Sequence, residues 1–111
     1  MPLDRVVLWQ QKRPNKKQLA HMIEDYIGEA GKVEWKTDRW YCTLHGKPSA
    51  MFRRILPLRQ NFGHDERWFE IFIGEDGIDV LTRSADEFTN AVAKEFAERV
   101  ARFWGARLER E

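Results

Sequence analysis

Cysteine occurs once in 111 residues, so no internal disulfide can staple the chain and the core must come from apolar burial alone. No apolar run approaches the roughly 18–20 residues that a helix needs to cross a bilayer. Met1–Gln11 lacks the charged-then-apolar pattern of a signal peptide. Together these absences predict a cytoplasmic protein with no membrane partner. Histidine is scarce too. His21, His45 and His64 are too far apart for the short-gap pairs that metal sites favour. Cys42 and His45 lie three apart on an alternating stretch, which puts them on opposite faces of a strand and argues against a nucleophile pair or a metal clip. His64, Asp65 and Glu66 read as a solvated turn. A glycine-rich phosphate loop is also missing, and Gly74–Gly77 fits a hairpin. The expectation is therefore no catalytic residue, no metal, no cofactor and no enzyme.

Aromatic residues, by contrast, are plentiful. Five Trp and seven Phe accompany a hydrophobic share of 42% and a charged share of 33%, the composition of an ordinary globular domain. At this length one domain spanning 1–111 can bury a real core. The net charge of +1 hides an asymmetry. Residues 1–60 hold 12 Lys/Arg against 6 Asp/Glu and residues 61–111 hold 7 against 12, which is +6 and −5.

The strongest periodic stretch is Ser84–Leu108. Ser84 and Glu87 have capping-box spacing, and Phe88, Val92, Phe96, Val100 and Phe103 recur at helical steps between alanines of high helix propensity. Nearer the start, Arg5–Gln11 reads as a strand that alternates Val6 and Leu8 against Val7 and Trp9. Asn15 and Gln18 then open a second amphipathic helix, running to about Ala30 and closed by Gly31. Lys32–Lys36 and Trp40–His45 follow as strands, Ser49–Arg54 as a third, and residues 55–66 as a long loop. Arg67–Ile73 and Ile78–Thr82 form a hairpin about Glu75-Asp76-Gly77.

The order β-α-β(4)-α predicts an α+β fold: a curved antiparallel sheet with both helices packed on one face. The order alone resembles that of the TATA-binding-protein-like and helix-grip folds, without any sequence motif of either.

Strand alternation turns Phe69, Ile71 and Ile73 toward the helices and Trp68, Glu70 and Phe72 away. Tyr41 and Trp9 are assigned to the same outer face. Large rings on a face usually given to solvent mark a partner site. The predicted function is a non-enzymatic cytoplasmic binding module of bacterial type, acting by protein–protein contact or homodimerisation. Its anchors are Trp9, Tyr41, Trp68 and Phe72, with Arg53, Arg54 and Arg59 at the rim. The alternative is single-stranded nucleic-acid binding by Lys12, Arg13, Lys16 and Lys17 in the basic first half, where phosphate neutralisation would combine with base stacking.

Overall fold

The computed structural model describes residues 3–28, 31–44, 67–83 and 87–110. The strand expected at Ser49–Arg54, the loop at 55–66, His45, the His64–Glu66 turn, the Ser84 cap, Arg53, Arg54 and Arg59 lie outside those residues.

The element order is β1 (Asp4–Leu8), α1 (Lys16–Ile27), β2 (Gly31–Lys36), β3 (Arg39–Leu44), β4 (Arg67–Ile73), β5 (Gly77–Leu81), α2 (Glu87–Trp104) and β6 (Arg107–Arg110). The six strands form one sheet in the order β2-β3-β4-β5-β1-β6, and every neighbouring pair is antiparallel. The consecutive strands β2 to β5 make a meander. β1 then inserts beside β5 and is flanked on its other side by β6.

Local chemistry sets the helix limits. The Asn15 side chain accepts from the Gln18 N–H at 2.8 Å, and the Gln18 side chain accepts from the Asn15 N–H at 2.9 Å, completing the expected capping box. The C-terminal stop differs from the expectation. Gly28, at φ 56°, caps α1 at Ile27, whereas Gly31 opens β2 where a side chain would collide with the Thr43 carbonyl.

Both helices cover the same sheet face and touch each other. Leu19, Ile23, Tyr26 and Ile27 of α1 and Phe88, Val92, Phe96 and Val100 of α2 are buried in one cluster with Val7, Trp40, Cys42, Leu44, Phe69, Ile71, Ile78 and Val80 of the sheet. The Tyr26 hydroxyl donates to the Val92 carbonyl at 3.2 Å, and its ring lies 5.4 Å from that of Phe96. Trp104 Nε1 donates to Met22 Sδ at 3.0 Å. Burial of each such Phe, Ile or Val contributes about 1.5–3 kcal/mol. The alternation read for β3 and for Phe69 and Ile71 of β4 agrees with this core, while Ile73 emerges at the strand end, 37% exposed.

Three features depart from the sequence reading. β6 was not expected, because Arg107-Leu108-Glu109-Arg110 carries no β-branched or aromatic residue. The assignment of β1 is inverted: Val7 and Trp9 face the helices at 0% and 9% exposure, and Val6 and Leu8 face away. Phe103, expected in the buried stripe, is 72% exposed. There α2 runs out beside Gln10–Lys12, and periodicity carries no information on where the sheet beneath a helix stops. None of the helices among the described residues is long and apolar enough to cross a membrane.

Candidate functional site

The antiparallel register fixes which side chains share the face away from the helices. Lys36, Arg39, Phe72, Asp79, Val6 and Glu109 form one row across all six strands. Glu34, Tyr41, Glu70, Leu81 and Asp4 form the next. Lys32, Thr43 and Trp68 form a third.

Three of the four predicted anchors meet here. Tyr41 and Trp68 lie 6.0 Å apart by ring centroids, and Phe72 stands two residues along β4 with the Arg39 guanidinium 4.1 Å over its ring. All three rings are half-buried. Trp9 does not join them. It closes the core on the helix side, and its backbone N–H donates to the Asp76 carbonyl at 2.8 Å. The run Val6-Val7-Leu8-Trp9 is apolar in both phases, so alternation could not choose its inner face; contact with α2 did.

Sequence reasoning missed what lies among the rings. Glu70 is 2% exposed although it belongs to the face away from α1 and α2. Its carboxylate is held by Arg39 Nη1 at 3.5 Å and by Arg83 through Nη2 at 3.2 Å and Nε at 3.3 Å. Two cations fix one carboxylate among its register neighbours Tyr41, Leu81, Trp68 and Phe72, as a buried charge requires. The Arg39 guanidinium also bonds Asp38 at 2.9 Å, and that bond together with the nearby acids raises its pKa. The only hint was an acidic residue between two large rings in Trp68–Phe72.

Other charges of the face mark its two sides. Glu34 is bridged by Lys32 at 3.0 Å and Lys36 at 3.6 Å; the hydrogen bond and charge of Lys32, then Lys36, hold its carboxyl below the ordinary value. On the far side Arg107 bonds Glu109 at 2.6 Å, and Asp4 Oδ1 is covered without a hydrogen-bond partner among the described residues. At the end of the face beside the β4–β5 turn, Val6, Leu8 and Phe72 together with the hairpin residues Ile73 and Ile78 line a shallow depression of about 250 Å³.

The basic set of the alternative does not gather on one surface. Arg13 donates to the Glu75 carbonyl at 2.7 Å and pairs with Asp76 at 3.2 Å, tying the β4–β5 turn to the segment after β1. Lys16 lies 3.8 Å over the Trp35 ring. Lys17 is exposed on α1. Lys12 lines a separate open groove of about 680 Å³ with Gln10, Gln11, Arg102, Phe103 and Trp104.

Chemistry elsewhere is sparse. Cys42 is 0% exposed, and burial pushes its thiol well above the ordinary range, opposite to what a nucleophile needs. Among the described residues no three His, Cys, Asp or Glu side chains are placed to hold a metal ion.

Fold and face together define the class: an α+β domain with its helices on one side of a six-stranded antiparallel sheet and an aromatic, charge-rimmed surface on the other. Comparison with protein-family models, curated proteins and solved structures finds no match.

Proposed function

We propose that this chain is a non-enzymatic cytoplasmic binding module that docks a protein, another polypeptide or its own copy, on the face of its sheet away from α1 and α2. The observation that carries the reading is the convergence of Tyr41, Trp68 and Phe72 there, next to the apolar depression of Val6, Leu8 and Ile73. Aromatic anchors with Arg at their margin are the usual source of binding energy at protein interfaces. The predicted rim of Arg53, Arg54 and Arg59 lies outside the described residues; in this reading Arg39 and Arg83, which hold Glu70 beside the rings, take the rim role. The test compares wild type with Trp68→Ala and Phe72→Ala, each checked for fold by circular dichroism. Light scattering reports self-association, and affinity capture from the source cells reports other partners. Loss of either with the fold intact is the expected result. A wild type that is monomeric and retains no protein beyond those the variants retain refutes the reading.

Single-stranded nucleic acid is the second reading, favoured by one observation: Lys12 and Arg102 flank the exposed Phe103 ring in the groove at the end of α2. Salt-dependent filter binding, abolished by Phe103→Ala, would support it, and absence of binding at low salt removes it.

A further inference from the structure

The sheet's outer face divides at its midline into two unlike halves. The half made by β2, β3 and β4 presents Tyr41, Trp68 and Phe72 with Lys32, Lys36 and Arg39 against Glu34 and Glu70. The half made by β5, β1 and β6 presents Leu81, Val6 and Leu8 with Asp4, Asp79 and Glu109 against Arg107. Arg83, just past β5, is turned back onto Glu70 and neutralises the first half's buried carboxylate. One half is aromatic and basic, the other aliphatic and acidic. A surface of that kind complements itself.

From this we infer that the partner on the face is a second copy of the chain, packed sheet to sheet about a two-fold axis that runs parallel to the strands between β4 and β5. The inference rests on the docking face proposed above and names its occupant. An axis in that direction reverses the strand order of one copy relative to the other, so β2 meets the second copy's β6, β3 its β1 and β4 its β5. An axis across the strands would instead lay basic half on basic half, a like-charge arrangement that costs energy. An isologous contact also requires each residue pair to occur twice, which a face split into matching halves satisfies.

The register then decides the neighbours. Lys36 and Glu109 end the same row on opposite edges, so the axis brings Lys36 over the second copy's Glu109. Arg39 comes over Val6, whose neighbours on the face are Asp4, Asp79 and Glu109. Glu70, already neutralised, meets Leu81, and Tyr41 points its hydroxyl toward Asp4. Aligned sheet packing tilts the two layers by about 30°, which moves residues near the axis little and edge residues about 12 Å out by about 6 Å, a span that the long Lys36 and Glu109 side chains bridge.

Size predicts strength. Six strands at about 4.8 Å and five residues at about 3.3 Å give a face of roughly 24 by 17 Å, about 400 Å² per copy, which is below the roughly 800 Å² per partner of a standard interface and in the range of weak, transient contacts. The dimer is therefore dissociable, and its steering charges make it sensitive to salt.

Sedimentation equilibrium of the full chain across about 5–500 μM at low and high salt is the decisive measurement. The expected result is a mass rising from one to two copies, with at least tenfold weaker association at high salt. Lys36→Glu and Glu109→Lys each weaken association about tenfold or more, and the double variant recovers it because the swapped charges meet across the axis. Both positions lie on edge strands, Lys36 exposed and Glu109 half-exposed, so the fold survives the change. A strict monomer at 500 μM overturns the inference, as does a dimer indifferent to both reversals or one not rescued by the double swap. If the monomer still captures another protein in a manner dependent on Phe72, only the self-pairing is lost and the docking face stands; with neither, both are lost.

Discussion

Glu70 is the side chain whose environment differs most from its sequence. Its carboxylate is 3% exposed, while Arg39 and Arg83 are 26% and 57% exposed at their side chains. Removing the acid frees two guanidinium groups that still reach water, so the loss is smaller than for a pair buried at both ends. Glu70→Ala is expected to cost about 1–3 kcal/mol in urea unfolding at neutral pH. Glu70→Leu is expected to cost less, because an apolar side chain of similar volume suits the Tyr41, Leu81, Trp68 and Phe72 surroundings. Equal losses in the two variants would show that the ion pairs, rather than the filled volume, hold this position. Gly77 is constrained in another way: a side chain there would collide with the Val7 carbonyl, which explains why β5 begins on a glycine pressed against β1.

Among the elements, α2 shows how periodicity and packing diverge. Phe96 is 2% exposed, within contact range of Tyr26 and Phe69, whereas Phe103 is 72% exposed. Both belong to the same sequence stripe. Phe96→Ala is expected to destabilise by about 3–5 kcal/mol through the cavity it leaves. Phe103→Ala should stay within about 0.5 kcal/mol, the range of surface substitutions. Chemical denaturation of the two variants side by side checks both. Equal losses would place Phe103 in the core and contradict the described packing.

For the whole molecule, one core joins both helices to the sheet, and Cys42 is buried within it at 0% exposure. A thiol reagent should therefore reach Cys42 only through global opening, with a labelling rate that follows the unfolding equilibrium as urea is raised. Burial raises the folded thiol's pKa above its unfolded value, so the unfolded chain ionises first as pH rises. The thiol's contribution is intact below about 8.5, the unfolded value, and declines above it by up to about 1.4 kcal/mol per pH unit. Urea midpoints at pH 7 and 10 should thus differ more in wild type than in Cys42→Ala. Rapid labelling of the folded protein, or an identical pH response in the variant, would contradict this burial.

What could be read from the amino acids was everything with a strong local cause. The Asn15–Gln18 box, the four-residue steps of Phe88 to Val100, the turn before Gly77 and the alternation of Trp40–Leu44 each have a short-range physical origin, and together they specified an α+β fold with both helices on one side. Tyr41, Trp68 and Phe72 were brought to the opposite face by the same two-residue period. Tertiary packing alone decided the rest. Val6 to Trp9 is apolar in either phase, so its inner face depended on α2; Arg107–Arg110 becomes a strand because β1 offers it a free edge; and Glu70 accepts burial because Arg39 arrives from β3 and Arg83 from the segment after β5. In each case the deciding energy comes from partners distant in the chain, and local pattern holds no record of them.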